Sequence, residues 1–270
     1  MIPPKFEYEV AESVEHAGEL LGKYGSDAKL LAGGQSLLPL AKLRVIQPSV
    51  LVDLGRLTDL SYVREDGGMV AIGALTRYSD LEWDETLKAS APLLAYACGQ
   101  VGDPQVRHMG TIGGACAHGD PASDVPTALV CLDAELVVNG DRKIGAQEFF
   151  EGVFMTAMGP QDVLTEIRVP KTTGGWAYEK FHPRAQDWAI VGVAVQLNGE
   201  PRVALTNMGP KPLRATAVEQ ALSSGASAEE AAQSALEGTE TIDDPFATAD
   251  YRRHLAPILT RRALEEAHSR

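Results

Sequence analysis

The apolar positions at the start of the chain predict one amphipathic helix followed by two short strands. Residues 12–25, ESVEHAGELLGKYG, place their apolar side chains on one helical face and end at a glycine, a common C-terminal cap. The runs AKLLAGG (28–34) and PSVLVDLG (48–55) are apolar and bounded by glycine or proline, as buried strands are. The pattern predicts an N-terminal α/β unit over residues 1–57.

The middle of the chain alternates between strand-like and helix-like patterns of apolar residues. Strand-like runs begin at GGMVAIGAL (67–75) and end at DVLTEIRVP (162–170). Between them, APLLAYACGQ (91–100) has the composition of a buried helix and leads up to a glycine-rich segment. We therefore expect a second α+β unit over residues 58–171.

The last third of the chain predicts a hairpin followed by helices. The segment TTGG (172–175) is a candidate linker, and residues 189–209 have the pattern of a hairpin that turns at 198–199, Asn-Gly. The remainder is rich in Ala, Glu and Leu with helical spacing. Its predicted helices are interrupted at Gly225, Gly238 and Pro257. These elements predict a third unit over residues 176–270.

Two glycine-rich loops are the candidate chemistry. They are LAGGQSLLPL (31–40) and RHMGTIGGACAHGDPASD (107–124), and the second is expected to present bare backbone amides at Gly110, Gly113 and Gly114. One glycine pair alone is more often a tight turn than a ligand site. Two such loops favour a diphosphate held from two sides, and hence a dinucleotide. Neither has the G-x-G-x-x-G spacing of the Rossmann type.

Four sequence blocks closely resemble a known family. They are LLAGGQSLLPLAKLR (30–44), IGALTRYSDLE (72–82), VGDPQVRHMGTIGGACAHGDPASDVPTALVCLDAELVV (101–138) and YEKFHPRAQDWAIVGVAV (178–195). In order and spacing they are similar to the FAD-binding medium subunit of molybdenum hydroxylases, the family of aerobic carbon monoxide dehydrogenase and xanthine dehydrogenase. The resemblance implies an α+β fold. A two-lobed FAD-binding domain of the vanillyl-alcohol-oxidase-like (PCMH) type would precede a small antiparallel sheet with helices.

The resemblance also implies which residues bind non-covalent FAD. The diphosphate loops would be 32–36 and 111–114, and valine at Gly33 or Gly114 is expected to exclude FAD while the fold survives. The full set of expected cofactor-binding residues is Lys29, Leu31, Ala32, Gly33, Gly34, Gln35, Ser36, Leu37, Val101, Gly102, Thr111, Ile112, Gly113, Gly114, Ala115, His118, Asp124, Leu164, Lys180 and Trp188. The chain has no histidine or cysteine at a family attachment position, hence the non-covalent link.

Several of these residues have a second interpretation. Asp124 would bind the ribityl hydroxyls, but it is equally suited to cap the helix that begins at VPTALVCL. Leu164 and Trp188 would lie against the isoalloxazine, although composition alone favours a core position for Trp188. Lys180 in its YxK segment could instead be a solvated surface charge. His118 is either a donor facing the ligand or a residue at a helix entry.

Two positions depart from the family pattern. The family often has histidine where Gln35 stands and asparagine where Ala115 stands, so side-chain bonds from these positions are altered or lost. His118 occupies a position where some relatives have asparagine or threonine. Backbone contacts at Gln35 and Ala115 would survive.

Composition narrows the class of protein. The 37 acidic and 24 basic residues give a formal charge of −13, which argues against nucleic acid or an anionic membrane as a partner. The three cysteines are far apart, so neither a disulfide framework nor a zinc site is indicated, and the histidines are too scattered for a metal cluster. No apolar run approaches about 18 residues and no secretory signal begins the chain, which favours a cytoplasmic location.

The same counts bear on function. A [2Fe–2S] cluster needs four cysteine ligands and the chain has three, so electrons must come from another subunit. No catalytic residue is indicated. The resemblance implies an electron-transfer subunit that receives electrons from a small [2Fe–2S] subunit, next to a large molybdenum-cofactor subunit, in a dimer of heterotrimers. Two alternatives are a stand-alone FAD-dependent oxidase or dehydrogenase, and a non-catalytic assembly subunit that has lost FAD.

Overall fold

A small parallel sheet begins the fold. The computed structural model describes residues 2–270. Its first elements are β1 (Glu7–Val10), α1 (Val14–Tyr24), β2 (Ala28–Leu31), α2 (Leu37–Lys42) and β3 (Val50–Asp53). Both β1 and β2 pair in parallel with β3, so the strand order is β1-β3-β2. The first glycine loop connects β2 to α2 at the carboxyl end of this sheet.

The helix predicted from the first apolar pattern is confirmed. Ser13 caps α1, since its hydroxyl accepts a hydrogen bond from the amide of His16 at 3.1 Å. Gly25 ends the helix with a φ of +58°, a conformation that glycine adopts at low cost. The buried face consists of Ala17, Leu20 and Leu21. Local signals therefore determine this element almost completely.

The second part of the chain builds an antiparallel sheet with helices inserted between its strands. In order it contains β4 (Val63–Asp66), β5 (Met69–Gly73), α3 (Tyr78–Trp83), α4 (Glu85–Ser90), α5 (Pro92–Gly99), α6 (Pro104–Met109), α7 (Ile112–His118), α8 (Asp124–Cys131), β6 (Glu135–Val138), β7 (Arg142–Gly145), α9 (Ala146–Phe149), β8 (Phe150–Gly152), β9 (Met155–Thr156) and β10 (Leu164–Pro170). The strand order is β4-β5-β10-β6-β7, and β8 and β9 form a separate hairpin. The second glycine loop lies at the start of α7.

The third part is an antiparallel sheet covered by helices. It contains β11 (Trp176–Phe181), β12 (Val191–Asn198), β13 (Glu200–Thr206), β14 (Leu213–Arg214), α10 (Thr216–Ser223), α11 (Ala228–Ala232) and α12 (Ala249–Ser269). The strands pair in sequence order, and the predicted hairpin is confirmed: β12 and β13 meet at Gly199, whose φ is +74°.

One predicted interruption is wrong. Gly225 separates α10 from α11 as expected, but α12 continues through Pro257 for 21 residues. Proline inside a helix removes one backbone hydrogen bond and costs about 3 kcal/mol. Packing offsets this cost, because Leu255, Ala256 and Leu259 around the proline are buried against the C-terminal sheet. Tertiary contacts thus keep α12 continuous at a proline that would be expected to end it.

The C-terminal sheet is buried on both faces, and this joins it to the rest of the molecule. Tyr178, Ala194 and Ala204 belong to the central core, where β12 and β13 pack on α8. Their neighbours in the strands, such as Ala177 and Val193, belong to a second core under α12. Alternate side chains of each strand point to opposite faces, so β11, β12 and β13 each contribute to both cores.

The expected fold class is confirmed by this architecture: parallel and antiparallel sheets with helices form the first two parts, and an antiparallel sheet with helices forms the third. Among residues 2–270, no helix is both long and apolar enough to cross a bilayer.

The segment predicted as a linker is tightly packed, and Gly175→Ala tests this. A methyl group at Gly175 would lie 1.7 Å from the carbonyl oxygen of Ala267 in α12. Because two backbones must separate, we expect a loss of about 1–3 kcal/mol in the free energy of unfolding, measured by urea denaturation. Gly68→Ala is the control, since nothing lies within 4 Å of its added methyl. Equal stability of both variants would contradict the packed linker.

Candidate dinucleotide site

The two glycine loops touch each other through their backbones. A methyl group at Gly33 would lie 2.2 Å from the carbonyl oxygen of Met109 and 2.8 Å from the Cα of Gly110. The missing side chain of Gly33 therefore faces the second loop and not open space. This corrects the expectation for valine at Gly33, because the substitution would push the two loops apart and would not leave the fold unchanged.

The first loop presents a run of unpaired backbone amides. Among residues 2–270, no acceptor takes the N–H groups of Gly33, Gly34, Gln35 and Ser36. The φ of Gly34 is +73°, the left-handed conformation that turns successive amides toward one point. Such a concave set of N–H groups binds an anion, and phosphate oxygens are strong acceptors. The first loop thus has the geometry of a phosphate-binding nest.

The second loop differs from its expected form, because its amides are already bonded. The amide of Gly110 donates to Val106 O, that of Gly113 to Ala74 O and that of Gly114 to the hydroxyl of Thr111. A methyl group at Gly113 would also lie 2.6 Å from the Ala74 carbonyl oxygen. The prediction of bare amides at these three glycines is wrong. They allow close packing of α7 against the end of β5, a partner that the local sequence does not reveal.

The loops separate two connected chambers of one cleft. We call the cavity of about 220 Å³ beside α8 the smaller chamber, and the cavity of about 860 Å³ beside α2 the larger chamber. Both are bordered by the residues where they meet: Gly33, Gly34, Gln35, Ser36, Gly114, His118 and Trp188. The first loop therefore lies where a single ligand would pass from one chamber to the other.

Most of the residues expected at the cofactor line this cleft. The smaller chamber includes Val101, Gly102, Thr111, Ala115, Asp124 and Lys180. The larger chamber includes Lys29, Ala32, Leu37, Gly113 and Leu164. Two expected residues line neither: Leu31 ends β2, and the fully buried side chain of Ile112 belongs to the central core.

A buried ion pair lines the smaller chamber. The Nζ of Lys180 donates to a carboxylate oxygen of Asp124 at 2.8 Å and to the carbonyl oxygen of Gln100 at 2.9 Å. The side chains are only 3% and 5% exposed, so the surface-charge interpretation of Lys180 is wrong. The capping interpretation of Asp124 is also wrong, since Ser123 occupies the cap position and Asp124 is the first helical residue of α8.

Opposing effects act on the Asp124 carboxyl. Burial raises its pKa, whereas the Lys180 ammonium and hydrogen bonds from Lys180 and Tyr178 stabilise the ionised form. Each oxygen accepts one of these bonds, which leaves lone pairs for a further donor in the chamber.

A chain of hydroxyl groups continues from this pair into the core. Tyr178 donates to Asp124 at 2.8 Å and lies 3.1 Å from the hydroxyl of Thr206, which donates to Thr127 at 2.9 Å. A methyl group at Gly192 would lie 2.8 Å from the Thr206 hydroxyl, so glycine makes room for this chain. The chain connects α8 to β11 and β13 and holds the cleft in register with the C-terminal sheet.

Aromatic side chains surround the mouth of the cleft. Trp188 is 55% exposed, which excludes the core interpretation. His118 is the last residue of α7, not a helix entry, and its ring lies 4.9 Å from that of Phe154. Burial lowers the pKa of His118, so the ring is neutral at pH 7. Phe154 is 56% exposed at the β8–β9 turn, with a φ of +56°.

Among the lining residues that sequence reasoning missed are two aromatic ones. Phe154 lies in the larger chamber and Tyr78 in the smaller one. For Phe154 a signal existed, since it belongs to the short apolar run VFM directly after Gly152. For Tyr78 the quoted block IGALTRYSDLE contained the residue, but nothing in its spacing marks it. Among the described residues no cluster could hold a metal ion, and all three cysteines are free and buried.

Comparison with known proteins identifies the family. Residues 4–172 match the family described as "FAD binding domain in molybdopterin dehydrogenase". Residues 176–267 match "CO dehydrogenase flavoprotein C-terminal domain". The chain belongs to this family. It is thus an FAD-binding subunit of oxidoreductases, and the family recognised from the four sequence blocks is confirmed.

Relatives match over the full length. The carbon monoxide dehydrogenase medium chain of Hydrogenophaga pseudoflava is 43% identical, with 100% of this chain and 99% of the relative covered. The solved carbon monoxide dehydrogenase from Hydrogenophaga pseudoflava which lacks the Mo-pyranopterin moiety superimposes with a TM-score of 0.95 at 44% identity, covering 100% and 99%. Quinoline 2-oxidoreductase from Pseudomonas putida 86 gives 0.92 at 28% identity, covering 100% and 99%.

The cleft fits FAD on its own geometry. Four open amides at residues 33–36 suit a diphosphate, and they lie where the two chambers meet. A dinucleotide bound there would extend into both chambers. Asp124 retains acceptor capacity for hydroxyl donors in the smaller chamber.

The ion pair predicts a pH-dependent loss of stability in Lys180→Met. The variant leaves Asp124 buried without its cation, and we expect a loss of about 3–5 kcal/mol in the FAD-free chain. Burial already raises the pKa of Asp124, and loss of the Lys180 ammonium raises it further, so the folded state retains a proton that the unfolded state releases. Stability should therefore fall as pH rises from 5 to 8, as measured by urea denaturation.

Two control variants accompany this measurement. Adding Asp124→Asn to Lys180→Met should remove the pH dependence and restore part of the stability. Lys171→Met breaks a more exposed pair with Glu65 and should cost no more than about 1 kcal/mol. A Lys180→Met loss no larger than that of Lys171→Met would show that the buried pair is not a structural requirement.

Proposed function

We propose that the chain is the FAD-binding electron-transfer subunit of a three-component molybdenum hydroxylase. In this proposal it passes electrons from a small [2Fe–2S] subunit to an external acceptor. The observation that supports it best is the run of open amides at residues 33–36 between two chambers that together accommodate a dinucleotide. Family membership supports the same cofactor.

Each part of the cleft has a role in this proposal. The amides of residues 33–36 bind the diphosphate, and Asp124, fixed by Lys180 and Tyr178, accepts ribityl hydroxyls. Trp188 lies at the exposed mouth, where a flat ring can stack on it. FAD bound here would accept and release electrons, while the protein binds and orients it. The proposed link is non-covalent, because neither a histidine nor a cysteine occupies a family attachment position and the three cysteines are buried.

The partners follow from what the chain contains. Three separated cysteines cannot ligate a [2Fe–2S] cluster, which requires four ligands. A small iron–sulfur subunit and a large molybdenum-cofactor subunit would supply these centres, and we propose a dimer of such trimers. Val153, Phe154 and Met155 form an exposed apolar tip beside the mouth, as expected near a subunit interface. We also propose domain limits of 1–57, 58–171 and 176–270.

The nest predicts a specific effect of Gly34→Ala on FAD binding. The left-handed φ costs a non-glycine residue about 1–2 kcal/mol, and the added methyl would lie 2.9 Å from the Leu38 side chain. We expect the Kd for FAD to rise about tenfold or more. Bound flavin is measured by titration and, after acid precipitation, in the supernatant, where a non-covalent cofactor must appear.

Gly67→Ala is the matched control for this measurement. Gly67 has a φ of +60° in the β4–β5 turn, and nothing lies within 4 Å of an added methyl. It should show a similar backbone penalty in stability with no change in the Kd for FAD. Unchanged FAD affinity in Gly34→Ala, or flavin retained on the precipitated chain, would contradict this part of the proposal.

The electron-transfer role predicts that substrate does not reduce the isolated chain. The FAD-loaded chain is mixed anaerobically with carbon monoxide or quinoline, and the flavin absorbance at its visible maximum should not change. Dithionite, the positive control, should bleach it. Co-purifying subunits are then identified and restored, and reduction by the substrate of the complex should follow. Bleaching of the isolated chain by substrate would favour a stand-alone flavoenzyme.

A further inference from the structure

Tyr78 is fixed against the second glycine loop. It is the first residue of α3 and is only 6% exposed. Its amide donates to the carbonyl oxygen of Gly110 at 3.1 Å, and a methyl group at Gly110 would lie 2.8 Å from the Cε2 of its ring. The ring has no room to move sideways, so its hydroxyl has a defined position.

Within the described part of the chain the hydroxyl of Tyr78 has no partner, and Tyr78 lines the smaller chamber. The hydroxyl oxygen is not among the fully enclosed side-chain atoms that lack a partner. Across residues 2–270 it makes no hydrogen bond. Neighbouring polar groups, in contrast, have partners in the protein. Asp124 accepts a hydrogen bond from Lys180, and the Thr111 hydroxyl accepts one from the amide of Gly114.

Packing does not account for the hydroxyl. Phenylalanine would fill the same volume and would avoid a nearly buried hydroxyl without a protein partner, which is unfavourable. The phenol is neutral, because burial, the thiols of Cys98 and Cys116 and the Asp124 carboxylate all raise the pKa of Tyr78. A neutral phenol is a hydrogen-bond donor. The chamber thus presents a fixed donor to whatever occupies it.

The two chambers differ in what they can accept. A diphosphate at residues 33–36 would send the two halves of a dinucleotide into different chambers. The smaller chamber is lined by the Asp124–Lys180 pair, which suits the hydroxyl-rich ribityl chain. The larger chamber is lined mainly by aliphatic side chains, among them Leu30, Leu37 and Leu40, which suit the adenosine half. This assignment differs from the family resemblance at Leu164, which lines the larger chamber and was expected against the isoalloxazine.

We propose that the hydroxyl of Tyr78 donates a hydrogen bond to an acceptor atom of the flavin half of FAD in the smaller chamber. The inference rests on the proposed cofactor and adds a binding residue to it. In this proposal Tyr78 and Asp124 together determine how the flavin half is oriented.

The test is Tyr78→Phe in the full chain, with three measurements. The Kd for FAD, from titration of the FAD-free chain, should rise about three- to tenfold, as expected for one lost hydrogen bond. The affinity for ADP, which lacks the flavin half, should not change. The thermal midpoint of the FAD-free chain should stay the same or rise. Tyr96→Phe, outside both chambers, is the control and should leave all three unchanged.

The outcomes separate this inference from the proposed function. A wild-type chain that binds FAD, together with unchanged FAD affinity in Tyr78→Phe, would refute the role of Tyr78 and leave the proposed function intact. Equal weakening of FAD and ADP binding would refute the assignment to the flavin half. If the FAD-free Tyr78→Phe variant had a lower thermal midpoint than the FAD-free wild-type chain, the hydroxyl would have a structural role instead. A wild-type chain that binds no FAD would overturn both proposals.

Discussion

The buried pair of Asp124 and Lys180 is the interaction on which the cleft depends. It joins α8, which belongs to the central part of the chain, to β11 of the C-terminal sheet, and Lys180 also holds the end of α5 through Gln100. Two buried charges need both mutual pairing and further hydrogen bonds to be stable. Here each Asp124 oxygen accepts one bond, and Lys180 donates to two acceptors. The position of the smaller chamber relative to the sheet is set by this requirement, and the hydroxyl chain from Tyr178 to Thr127 extends it into the core.

The two glycine loops have similar sequences but different structural roles. The first keeps its amides open, whereas the second uses its amides and its glycines to pack α7 against the strand end at Ala74. Close packing of Gly33 on Met109 then fixes one loop against the other. The bonded second loop thus restrains the position of the first.

Local patterns predicted the elements that local interactions determine. The helix α1 has its cap, its apolar face and its terminal glycine within fourteen adjacent residues, and the hairpin at Gly199 is equally local. The resemblance to a family supplied most of the residues that line the cleft. What the sequence could not show depends on distant partners: Lys180 is bonded to a residue 56 positions away, and Pro257 is accommodated by contacts with the sheet. Tyr78 could not be recognised from the sequence, because whether its hydroxyl has a hydrogen-bond partner depends on its neighbours in the folded protein.

The two-faced C-terminal sheet has a consequence for how the molecule folds. Two different family matches meet near residue 175, yet β11, β12 and β13 contribute alternate side chains to the core of the central part. Neither unit could expose this sheet to water without opening an apolar surface. The boundary between the two family matches therefore does not separate two independently unfolding units. The central and C-terminal parts are expected to unfold together in a single thermal transition.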